Sequence, residues 1–71
     1  MTNEQREDFI YMAFALEPER LYMDGEATHE QAMATKRRIE KRWSDLEKEV
    51  GVRVSQYEAF DWFMEDRRKG A

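Results

Sequence analysis

The residues best suited to chemistry lie close together: Asp24, Glu26, His29 and Glu30 fall within one short stretch. Carboxylates beside an imidazole are the raw material of a metal site. The pattern does not meet what such sites demand. Ca²⁺ takes roughly six to eight oxygen ligands in a set arrangement, and Zn²⁺ ordinarily takes more than one His or Cys. The chain has one His and no Cys. An Asp24-Gly25 turn, followed by acids at a helix start, accounts for all four residues. Other catalytic signals are missing too. There is no thiol, no glycine-rich phosphate loop and no nucleophile elbow. Carboxylate pairs are commonplace in a chain with 16 Asp and Glu, and a domain this small has little room for a pocket. The expectation is a protein that is not an enzyme, with no metal, cofactor or small-molecule substrate.

A second constellation is basic. Arg37, Arg38, Lys41 and Arg42 cluster on one segment behind Lys36, with Glu40 the only acid among them. Part of the cluster is matched by intrahelical pairing of Arg37 with Glu40, Lys41 with Asp45 and Arg42 with Asp45. Arg38 has no acid three or four positions away. The macrodipole does not account for the group, because it lies mid-helix. It reads either as a solvated helix back or as a surface for an anionic partner, nucleic acid phosphate or an acidic protein. The net charge of -4 speaks against a surface wholly given to nucleic acid. A helix-turn-helix made from the last two helices fares poorly. Its recognition helix would present Glu58, Asp61, Glu65 and Asp66 to phosphate.

These residues must be positioned by helices. Residues 28–50 carry the clearest rhythm: Ala32, Ile39, Trp43, Leu46 and Val50 share one face. Thr28 with Gln31 forms a capping box, and Gly51 terminates the helix, with Val52 packing back. Upstream, Thr2 or Asn3 caps a helix over about 3–16, which Glu17-Pro18 ends. Leu21, Tyr22 and Met23 then fold a loop, 18–27, back over the core. Ser55 with Glu58 opens a last helix over about 56–68, for which Tyr57, Phe60, Phe63 and Met64 are the natural core face. The fold class is all-α, a three-helix bundle in one small domain of 71 residues.

That inventory has more apolar surface than three short helices can cover. FIYMAFAL, residues 9–16, is apolar nearly all round, and Trp62 lies off the expected core face. Phe9, Tyr11, Met12, Phe14 and Trp62 are therefore the candidate partner-binding residues; the other reading is a crowded core with a few surface apolars. Self-association, most simply as a two-fold dimer, would bury the excess. No positive n-region marks a signal peptide, and the apolar run is too short to cross a bilayer. A cytoplasmic protein without membrane contact is expected.

The string LEPERLYMDGE, followed by WSDLEKEVGVRVS, resembles small proteins encoded by phages, prophages and other mobile elements. The likeness spans roughly residues 14–55 and carries no catalytic signature, so no site residues transfer. It implies an accessory protein that binds or inhibits a host protein in the host cytoplasm. Nucleic-acid binding or transcriptional regulation through the basic middle helix is the alternative.

Overall fold

The computed structural model describes residues 1–70, apart from the side chain of Asp24. About four-fifths of the chain is helical, and no strand occurs among the described residues. Helix α1 spans Asn3–Ala15, α2 Pro18–Leu21, α3 His29–Val50 and α4 Gln56–Lys69, with a 3-10 turn at Met23–Gly25 between α2 and α3. The three long helices make the expected bundle. The anticipated fold-back is the short α2 and the 3-10 turn, which bury Leu21 while leaving Met23 exposed.

Local chemistry sets the helix ends. The Thr2 side chain accepts from the Gln5 amide while Gln5 accepts from the Thr2 amide, and Thr28 and Gln31 repeat the exchange. Each box satisfies donors that the first helical turn leaves without partners. Ser55 makes only half of its box: its hydroxyl accepts from the Glu58 amide. Gly51 ends α3 with a φ of 79°, a left-handed conformation that suits glycine. Val52 does not pack back on α3 as expected; it is exposed, and Val54 enters the core instead. The reason is a two-sided latch. The Trp43 indole N–H donates to the Val54 carbonyl, and the Val54 amide donates to a Glu47 carboxylate oxygen, both at 2.9 Å. Together they turn residue 54 inward and hold the α3–α4 connection against α3.

Helix α1 is the hub. It packs against both α3 and α4, whose Cα atoms nowhere come within 8 Å of each other among the described residues. Phe9, fully buried, takes Trp43 from α3 at 5.0 Å and Trp62 from α4 at 6.2 Å, both edge-to-face. Met12, Ala13, Leu46, Val54 and Ala59 complete the core. On the α4 side, Phe14 packs edge-on against Phe60 and Phe63, at 5.0 and 4.9 Å. Such pairs contribute about 0.5–1.5 kcal/mol beyond their area. Gln56 donates to the Ala13 carbonyl at 2.9 Å, satisfying one of the orphan acceptors in the last turn of α1.

Helix α4 corrects the expected orientation. Tyr57 and Met64 are 79% and 51% exposed, while Ala59 is buried and Trp62 half-buried. The helix is turned so that its smallest apolar residue meets α1, which lets the backbones approach. Trp62 then reaches Phe9, and the Arg6 guanidinium covers its ring at 5.6 Å. Arg6 also binds both Asp66 carboxylate oxygens at 2.7 Å, tying the start of α1 to the end of α4.

The result is a slab. Its Cα extents are 37 × 31 × 17 Å and its radius of gyration is 13.2 Å, against about 11 Å for a compact chain of this length. Its accessible surface is 5704 Å², whereas a typical monomer of this mass exposes about 4,700 Å².

Candidate functional site

The five candidate partner-binding residues do not share a surface. Phe9, at 0% exposure, is unavailable to a partner in this conformation, and Met12, at 6%, is a core residue that shows only an edge to a shallow depression between α1 and α3. They lie on the arc of α1 that both α3 and α4 cover, which a helix apolar all round does not disclose. Trp62 is occupied by Phe9 and Arg6. Tyr11 alone is openly presented, at 76% exposure, and Phe14 is half-buried at its side.

Around Tyr11 the structure builds two adjoining depressions. The larger, about 710 Å³, is lined by Ile10, Tyr11 and Phe14 from α1, Thr35 and Ile39 from α3, and Phe63 from α4. The smaller, about 380 Å³, lies between α1 and α3 and shares Tyr11, Thr35 and Ile39 with it. Both are open and shallow, their floors mostly hydrocarbon and ring. Charged residues border them: Glu7, Arg20 and Asp66 at the larger, Asp8, Arg38 and Arg42 at the smaller. Tyr11 thus stands in the middle of an apolar face on the outward side of α1. Ile10, Ile39 and Phe63 belong to it as well, although none of them is among the residues expected to meet a partner. Ile39 lies on the apolar stripe of α3; it is only half-buried because α1 covers just part of that stripe.

The basic cluster is exposed throughout: Arg37, Arg38, Lys41 and Arg42 all face solvent. Arg42 pairs across to Asp8 of α1 at 3.7 Å rather than along its own helix to Asp45, and no ion pair within α3 occurs among the described residues. Arg38 and Arg42 border the smaller depression, and Arg37 and Lys41 do not. The cluster is therefore divided between the rim of an apolar face and open solvent.

His29, in the acid-rich segment 24–30, shares a hydrogen bond with the Tyr22 hydroxyl at 2.8 Å through Nδ1. That contact joins the fold-back to the first turn of α3. No cluster of three or more metal-ligating side chains occurs among the described residues; the Asp24 side chain lies outside them. No described helix is long and apolar enough to cross a membrane. Compared with known proteins, the chain matches no family model, no curated protein and no solved structure. What the fold and the face define is an all-α slab with two adjoining apolar depressions around Tyr11.

Proposed function

We propose that this chain is a protein–protein interaction module that works through the outward face of α1. One observation carries the reading: an open aromatic and aliphatic depression, with Tyr11 exposed at its centre, on a molecule too thin to cover it. Exposed tyrosine supplies large contact area at small conformational cost, and such residues are enriched where proteins meet. The shallow floor suits a helix or another flat protein surface better than an enclosed small molecule. An accessory role for a mobile element, binding or inhibiting a host protein, agrees with this surface and with the resemblance of residues 14–55.

Tyr57 provides an internal control. It is the same residue type at almost the same exposure, 79% against 76%, yet it lines neither depression. A photoreactive phenylalanine analogue placed at position 11, in cells producing the chain, is expected to capture protein. The same analogue at position 57 is expected to capture little. Equal capture at both positions, or none at position 11, would remove the reading.

A further inference from the structure

Resting on that reading, we infer that the occupant of the α1 face is a second copy of this chain, bound about a two-fold axis that passes near Tyr11. Area is the first reason. The chain exposes 5704 Å², about 1,000 Å² more than a monomer of its mass ordinarily does. A standard interface removes about 800 Å² from each partner. One broad side of a slab 37 × 31 Å across is large enough to supply that area.

Charge is the second reason. In a two-fold interface residue i meets residue j of the other copy, and j meets i, so one surface must carry both members of every pair. A face built for nucleic acid, or for a strongly charged protein, would show one sign. The border of the two depressions carries three acids, Glu7, Asp8 and Asp66, and three arginines, Arg20, Arg38 and Arg42. Asp66 is already bound by Arg6 and Asp8 lies 3.7 Å from Arg42, so Glu7, Arg20 and Arg38 are the border charges left to meet another copy, and both signs are among them. The apolar centre is equally self-compatible: Tyr11 and Ile10 of one copy set on Ile39 and Phe63 of the other bring hydrocarbon and ring together, and the Tyr11 and Thr35 hydroxyls on the same surface can each donate and accept across the pair.

The chain has no cysteine, so single-cysteine variants report geometry cleanly. Disulfide formation requires Cα atoms about 4.4–6.8 Å apart, a distance that two copies of one residue reach only close to the axis. Light scattering of the purified full chain across a concentration series is expected to show a mass approaching twice the monomer. Tyr11→Glu is expected to weaken association on the order of thirty-fold, as loss of a central anchor does. Its helical circular dichroism should be unchanged, because the side chain is exposed. Mild oxidation is expected to link Tyr11→Cys into a covalent dimer and to leave Tyr57→Cys monomeric. A strict monomer at every concentration would overturn the inference, as would a dimer indifferent to Tyr11→Glu. A monomer whose position 11 still captures a different protein in cells would overturn the second copy while leaving the interaction face standing; no capture at all would remove both.

Discussion

The two sides of α1 differ sharply. On one, Phe9 and Ala13 are sealed among Trp43, Trp62, Leu46 and Ala59, with Met12 at the margin. On the other, Ile10, Tyr11 and Phe14 look into an open depression. Both sides are apolar and each carries an aromatic ring, within one run of six. Hydrophobicity alone therefore does not say what a residue does here. What separates structure from surface is how far the two longer neighbours enclose it: they close over one arc, while on the other they only flank Ile10 and Phe14 and leave Tyr11 open. The sealed arc holds the fold, and the open arc leaves Tyr11 exposed.

Substitutions can break or sharpen that contrast. Phe9→Ala removes the ring on which both tryptophans rest and should cost about 3–5 kcal/mol. A single core of this size has little more than that in reserve, so loss of the cooperative helical transition in chemical denaturation is expected. Trp43→Phe keeps the aromatic contact but removes the donor to the Val54 carbonyl. A destabilisation of about 1–2 kcal/mol is expected, seen as a lower denaturation midpoint. Thr28→Ala, which touches neither side of α1, should cost about 1 kcal/mol through its cap alone. Tyr11→Ala should change stability by less than about 0.5 kcal/mol, measured at concentrations low enough to keep copies apart. If Tyr11→Ala proved as damaging as Phe9→Ala, the division of α1 into a holding side and a meeting side would fail.

Much of the architecture was legible because it rests on short-range chemistry. The boxes at Thr2 and Thr28, the half-box at Ser55 and the left-handed end at Gly51 each depend on residues three or four positions apart. The stripe on α3 was legible for a similar reason, since a single apolar arc leaves one way to bury it. The candidate site was only partly legible. Tyr11 was singled out, but together with Phe9 and Met12, because nothing within residues 9–16 says which arc its neighbours will cover. The rotation of α4 was hidden in the same way. More than half of its wheel is apolar, and the deciding feature, close approach over Ala59, depends on a helix some forty positions earlier. Arg6 escaped notice because its partners, Trp62 and Asp66, are contributed from the far end of the chain.

The placement of α4 against α1 also bears on how the chain is made. Forty residues separate Ala15 from Gln56, and at about 5–20 residues per second of synthesis several seconds pass before α4 emerges from the ribosome. Throughout that interval the nascent N-terminal segment carries phenylalanines and methionine with no final shelter. Such a stretch is open to chaperones and to premature aggregation until α4 arrives.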